Sequence, residues 1–292
     1  MTADRASALR PITGHTQLAA VIGSPIAHSI SPAIHNAAFV ACALDWIYLA
    51  FEVRDGDAPA ALEAVRTLGI RGLSVTMPHK TAVAAAVDEL TDAARELHAV
   101  NCVVNREGHL VGDNTDGAGF IDAFHHDTRG EVAGRVCGVI GGGGAARAVV
   151  RALGLAGAAE VIVVNRDPGR AAAAAELAAC GRVGTPADLP GCAIVINATP
   201  VGMPGAHESE LPAPAELLRP GQIVVDLVYN PLQTAWLAQA RSLGLEAHNG
   251  LSMLVFQAAH AFRLWTGVHP PIDAMYAAAR HGVAPATFLT DH

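Results

Sequence analysis

The stretch "VIGGGGAARAVVRAL" (residues 139–153) decides the fold. Val139 and Ile140 close an apolar run that opens at "RVCGVIG" (135–141), and "AARAVVRAL" carries helical spacing. Between them Gly141, Gly143 and Gly144, followed by Ala145, permit a tight turn and close backbone approach to a pyrophosphate seated on the helix N-terminus. A glycine cluster alone is weak evidence. Here a strand precedes it, a helix follows, and a second strand, "EVIVVN" (160–165), comes about 20 residues on, so dinucleotide binding outweighs a purely structural turn. That second strand ends in "NRDPGR", with Asn165, Arg166, Asp167 and Arg170 at the position that selects the cofactor. Arg166 and Arg170 suit a ribose 2′-phosphate through bidentate contacts and favour NADP. Asp167 would repel a phosphate and suits a ribose diol, so NAD stays as the alternative. "NATPVGM" (197–203) ends a later strand, which puts Asn197, Ala198 and Thr199 beside the nicotinamide half.

Outward from this core, apolar runs alternate with helical patterns along the whole chain. "QLAAVIG" (17–23), "WIYLAFEV" (46–53) and "GLSVTMP" (72–78) read as strands, separated by helices that begin near Pro32 and Pro59. A second series runs through 135–141, 160–165, 193–199, 222–229 and 245–250. Continuous apolar strands joined by helices predict parallel sheets covered on both faces. The expected fold is therefore α/β, with two units meeting at the polar junction "GDNTDG" (112–117). The final helices, "LSMLVFQAAHAFRLWTG" and "IDAMYAAARHG", have no strand after them and are expected to return to the first unit. The first domain is thus residues 1–116 completed by 251–292, and the Rossmann-type NADP-binding domain is 117–250.

Composition narrows the function. The 292 residues are 51% hydrophobic and 16% charged, which excludes a disordered chain. A net charge of -8 with no basic stripe argues against nucleic acid. No run of 18 apolar residues predicts a membrane span, and "MTADRASALRPITG" lacks signal or transit features, so a cytoplasmic protein is expected. The five cysteines form no C-x-x-C pair. "HH" (125–126) falls in what reads as a polar connection, and no metal site is expected.

In the first unit, "GLSVTMPHK" (72–80) turns polar where an apolar strand meets its loop. Leu73, Val75 and Met77 are expected to pack while Ser74, Thr76 and Lys80 face a ligand crevice. "HSISPAIHN" (28–36) puts Ser29 and Ser31 before Pro32, where hydroxyls and free N–H groups at a helix start can take a carboxylate. Ser31 alone would more simply be an N-cap. Lys80 and Asp116 are the candidate reacting pair, since a lysine held near a carboxylate can relay a proton to or from a hydroxyl being oxidised. Each alone reads as a surface or turn residue.

Together these segments resemble the shikimate dehydrogenase family. The resemblance rests on S-x-S-P-x-x-H-N at Ser29, Ser31, Pro32, His35 and Asn36, then "SVTMPHK", "AVNCV", "DNTDG", "GGGGAAR", "NRD", "NATPVGM", "DLVYNP" and "NGLSMLVFQAA" in family order. It implies NADP-linked interconversion of 3-dehydroshikimate and shikimate, a step toward chorismate and the aromatic amino acids. It further implies that Ser29 and Ser31 bind the substrate carboxylate, and that Thr76, Asn101, Asp116 and Gln257 hold ring hydroxyls. Lys80 and Asp116 would assist proton transfer at C3, and Tyr229 and Gly250 would lie near substrate and nicotinamide. Many family members carry Asn where this chain has Ser74, which keeps quinate or aminoshikimate as alternative substrates. A catalytically silent NADP-binding sensor is the alternative from another class. Both monomers and homodimers occur in the family.

Overall fold

The computed structural model describes residues 11–205 and 207–283. The outer ends of the first domain as predicted, 1–10 and 284–292, lie outside the described residues, as does most of the N-terminal stretch read for targeting.

Two six-stranded sheets carry the fold. The first unit runs β1 (Gln17–Gly23), α1 (Ser31–Ala41), β2 (Trp46–Glu52), α2 (Ala58–Thr67), β3 (Gly72–Val75), α3 (Lys80–Ala84), β4 (Glu89–Leu90), α4 (Asp92–Leu97), β5 (Cys102–Arg106) and β6 (His109–Asp113). Its strand order is β2-β1-β3-β5-β6-β4. Helix α5 (Asp116–Thr128) then leads into β7 (Val136–Ile140), α6 (Gly144–Leu155), β8 (Glu160–Val164), α7 (Pro168–Ala175), β9 (Gly181–Val183), β10 (Ile194–Asn197), β11 (Ile223–Asp226), α8 (Ala235–Ser242) and β12 (Glu246–His248). These strands are all parallel, in the order β9-β8-β7-β10-β11-β12. That is the doubly wound dinucleotide-binding order, whose switch point lies between β7 and β10.

Helices α9 (Leu251–Thr266) and α10 (Ile272–Val283) return to the first sheet. Val255, Phe262, Trp265, Met275 and Ala279 share one buried core with Ala19, Val21, Ile34, Phe39 and Tyr48. Each fully buried large apolar side chain contributes roughly 1.5–3 kcal/mol, so burial anchors this return. The Trp265 indole N–H adds a 3.0 Å bond to the Val103 carbonyl.

Three expectations need correction. The first sheet is mixed rather than parallel: β5 runs antiparallel to both β3 and β6. β5 and β6 form a hairpin whose turn residues, Glu107 and Gly108, both take positive φ, as a type I′ turn requires. His125 and His126 lie inside α5, not in a connection. The stripe that buries this helix, Gly119, Phe120, Ala123 and Phe124, recurs at helical spacing. Met77 is 76% exposed, whereas Leu73 and Val75 are buried. The β3 ladder ends at Val75, so the alternation of the strand does not extend to Met77.

Candidate active site

The C-terminal ends of β1 and β3 and the start of α5 converge on one cleft, closed from the other side by the end of β11 and the start of α9. Its lining includes Ser29, Ser31, Ser74, Thr76, Lys80, Asn101, Asp116, Tyr229 and Gln257, together with Ala145 and Gly250. The cleft holds about 260 Å³, just below the roughly 300–1,000 Å³ of pockets for drug-sized ligands, which suits a small polar molecule.

The polar centre is built from side chains already tied to one another. Lys80, the first residue of α3, donates from Nζ to Asp116 Oδ2 at 2.6 Å. Asp116 opens α5, and its Oδ1 accepts from Asn101 Nδ2 at 2.7 Å. Asn101 Nδ2 also donates to Thr115 Oγ1 at 3.0 Å, while its Oδ1 accepts from the Thr115 N–H at 2.8 Å. Asn114 anchors the segment by donating to the Ala99 carbonyl and accepting from the Asp116 N–H. The Lys80 side chain keeps 25% of its exposure and Asp116 10%, so the pair is shielded yet open to the cleft. Each Asp116 oxygen retains acceptor capacity for a ligand hydroxyl.

At the other end of the cleft, Ser31 is the first residue of α1 and Ile30 its N-cap, so the Ser31 hydroxyl is not spent as a cap. Ser29 Oγ accepts from the Ser31 N–H at 3.3 Å. The helix start has no side-chain cap, which leaves donors for an anionic group. Within the same motif, His35 and Asn36 turn inward. Asn36 brackets the Tyr48 backbone with bonds of 2.8 and 3.0 Å, and the His35 ring stacks on Tyr48 at 4.4 Å. Gln257 Nε2 donates to the Leu254 carbonyl at 2.8 Å, which frees its amide oxygen for the cleft. Gly119 lets α5 approach this point, since any side chain there would strike the Gln257 backbone.

On the facing wall, Gly141 takes φ +130° and lies against the Ala198 carbonyl. Nothing approaches the positions where side chains of Gly143 and Gly144 would stand, and α6 begins there without a side-chain cap. Open space, free N–H groups and a helix start fit a pyrophosphate. Asn165 and Arg170 pack against Gly142, so the glycine loop and the "NRDPGR" segment are adjacent. Asp167 Oδ1 caps α7, accepting from the Gly169 and Arg170 N–H groups at 2.9 and 3.1 Å. This carboxylate is committed to its helix, and Asp167 Oδ2 lies 3.6 Å from Arg170 Nε. Arg166 and Arg170 are exposed. The donor set therefore fits a dinucleotide bearing a phosphate at the ribose better than one bearing a diol.

Asn197 does not reach the cleft surface. It is fully buried, donates to Asp226 Oδ1 at 2.9 Å, and its Oδ1 accepts from Thr199 Oγ1 at 2.6 Å. Asp226 opens "DLVYNP", and its residue type and spacing alone do not mark it as a site residue. It also accepts from Thr234 Oγ1 at 2.7 Å and from the Val228 N–H at 3.1 Å, and burial pushes its carboxyl up. This buried node holds the loop that presents Tyr229, whose phenol burial also pushes up. The Gly250 N–H donates to the Val228 carbonyl at 3.0 Å, joining that loop to the start of α9. Among the described residues, no group of three or more His, Cys, Asp or Glu side chains is placed to hold a metal ion, and no helix is long and apolar enough to cross a membrane.

The same residues mark a family. A model described as "Shikimate dehydrogenase substrate binding domain" matches residues 21–103, and one described as "Shikimate 5'-dehydrogenase C-terminal domain" matches 250–280. A shikimate dehydrogenase (NADP(+)) of Moorella thermoacetica is 42% identical over 275 residues, spanning 90% of this chain and 92% of the relative. The structure of a shikimate 5-dehydrogenase from Thermus thermophilus, in complex with NADP(H) and shikimate, superposes with a TM-score of 0.85 at 40% identity, covering 91% of this chain and 99% of that one. A quinate dehydrogenase from Corynebacterium glutamicum in complex with NAD also reaches 0.85, at 32% identity and with 91% and 99% covered. The chain belongs to the shikimate dehydrogenase family.

Proposed function

We propose that this protein is an NADP-dependent shikimate dehydrogenase, which reversibly reduces 3-dehydroshikimate to shikimate. Homologues of that activity span most of the chain. The observation that carries the residue assignment is the 2.6 Å Lys80–Asp116 pair inside the cleft. Residues 1–116 with 251–292 act as the substrate domain, and 117–250 as the cofactor domain.

Ser29 and Ser31 bind the substrate carboxylate at the uncapped start of α1. Ser74, Thr76, Asn101 and Gln257 hold ring hydroxyls. Lys80 gives a proton to the C3 oxygen as the ketone is reduced and takes it back in the oxidation. Asp116 fixes Lys80 Nζ and accepts from the C4 hydroxyl with its remaining lone pairs. Gly141, Gly143, Gly144 and Ala145 cradle the pyrophosphate. Asn165, Arg166 and Arg170 hold the adenosine ribose phosphate, and Asp167 acts as the cap of α7. Thr199, positioned by Asn197, and Gly250 would flank the nicotinamide, and Tyr229 would lie near it and the substrate at the edge of the cleft. When bound, NADP supplies or accepts the hydride at C3. Holding the ring in one pose and excluding water are the remaining tasks of this wall.

Initial rates with shikimate and NADP+ test the reading. The wild type turns over, and Lys80→Ala lowers kcat by about 10²-fold or more while KM for shikimate moves much less. Absence of wild-type turnover would overturn the activity; an unaltered kcat in the variant would remove Lys80 from the chemistry.

A further inference from the structure

Tyr48 lies on β2 and Ser74 on β3, on either side of β1. The register pairs Tyr48 with Ala19 and Ser74 with Val21, so all four side chains share one face of the sheet. Ala19 between them is small and leaves room for the phenol to reach across. The Tyr48 ring is fixed: it is 1% exposed, stacks on His35 with planes 14° apart, and tilts against Trp265. Its hydroxyl is sealed from solvent with no hydrogen-bond partner. Phenylalanine would fill the same space without that desolvation cost, and buried tyrosine hydroxyls ordinarily find a partner. Of the other three side chains on that face, Ser74 alone carries a hydroxyl. Ser74 also lines the cleft, beside Thr76 and Lys80.

We propose that Tyr48 is a positioning residue for substrate recognition: its O–H, unpartnered in the ligand-free cleft, donates to Ser74 Oγ once substrate is bound, which turns the Ser74 O–H into the cleft as a donor to a ring oxygen. A serine hydroxyl can donate or accept, unlike an asparagine amide, whose donor and acceptor are separate atoms. A buried donor behind Ser74 sets its direction. The ring position facing Ser74 is then read as an oxygen, and an ammonium group there, which has donors only, is rejected. This inference rests on the shikimate reading and names a second layer of its selectivity.

Tyr48→Phe, Ser74→Ala and the double variant, assayed with shikimate and NADP+, test it. Tyr48→Phe and Ser74→Ala each raise KM for shikimate about three- to tenfold, the worth of one neutral hydrogen bond, with kcat little changed. The double variant is no worse than Ser74→Ala alone, because Tyr48 acts only through Ser74. The melting temperature of ligand-free Tyr48→Phe is not lowered, since the variant removes an unpartnered buried hydroxyl. An unchanged KM in Tyr48→Phe, effects that add fully in the double variant, or a lowered melting temperature overturns the proposal. Wild-type turnover in the same assay reports on the activity itself, so loss of that reading is separately visible.

Discussion

The two walls of the cleft solve the problem of holding a ligand with different materials. On the substrate wall, Lys80, Asp116, Asn101 and Thr115 are shielded and bonded to one another at 2.6–3.0 Å before any ligand arrives. On the cofactor wall, the glycine loop offers open backbone at Gly143 and Gly144, and exposed Arg166 and Arg170 stand at the rim. A shielded network fixes directions at fraction-of-an-ångström precision and resists screening, because little water enters it. Exposed guanidinium groups recognise charge, and salt weakens them. Changes to that bonded network should therefore act on turnover and on the fold beneath it. Changes on the second wall should act on cofactor affinity alone.

The larger of two further effects lies under the substrate wall. Burial pushes the His35 imidazole down to about 3, against an ordinary value of 6.5. Between these values the unfolded chain binds a proton that the folded one refuses. This share of stability is therefore full above pH 6.5 and is lost as pH falls toward 3. By pH 5 the loss is about 2 kcal/mol. Urea unfolding at pH 7.5 and 5 measures it, and His35→Phe should remove that part of the pH dependence. A variant with an undiminished dependence would move the effect to another group.

The smaller effect sharpens the contrast on the cofactor wall. Arg166→Ala/Arg170→Ala should raise KM for NADP+ about tenfold, leave kcat nearly unchanged and leave NAD+ kinetics untouched. The loss should shrink in high salt. A change in kcat, or an equal loss with NAD+, would mean that the arginines hold the wall itself rather than a phosphate.

Much of this was legible in the sequence, unevenly. The second unit was readable because each strand is a continuous apolar run and each helix starts near a glycine or proline, as at Gly144 and Pro168. The hairpin of β5 and β6 was not. Its strands have five residues each and turn on Glu107–Gly108, a weaker signal than Asn-Gly. Helix α5 was hidden because Gly117 and Gly119 interrupt its pattern, yet Gly119 is what admits the backbone of Gln257. Lys80, Asp116 and Asn101 could be selected by motif, but only the fold brings together residues from α3, the turn before β5 and α5. Tyr48 and Asp226 could not be selected. Both are buried polar groups whose roles exist only across the sheet, Tyr48 reaching over β1 toward Ser74 and Asp226 beside Asn197 on the next strand. The Asp167 question was open in sequence because a carboxylate can bind a diol or cap a helix. The bonds to Gly169 and Arg170 show it capping.

One measurement bears most directly on the account: initial rates with shikimate and with quinate, each with NADP+ and with NAD+. Shikimate with NADP+ should exceed each of the other three combinations in kcat/KM by about tenfold or more, the discrimination one well-made polar contact supports. Quinate equal to or better than shikimate would contradict the assignment of shikimate as the preferred substrate, and NAD+ equal to NADP+ would contradict the reading of Arg166 and Arg170.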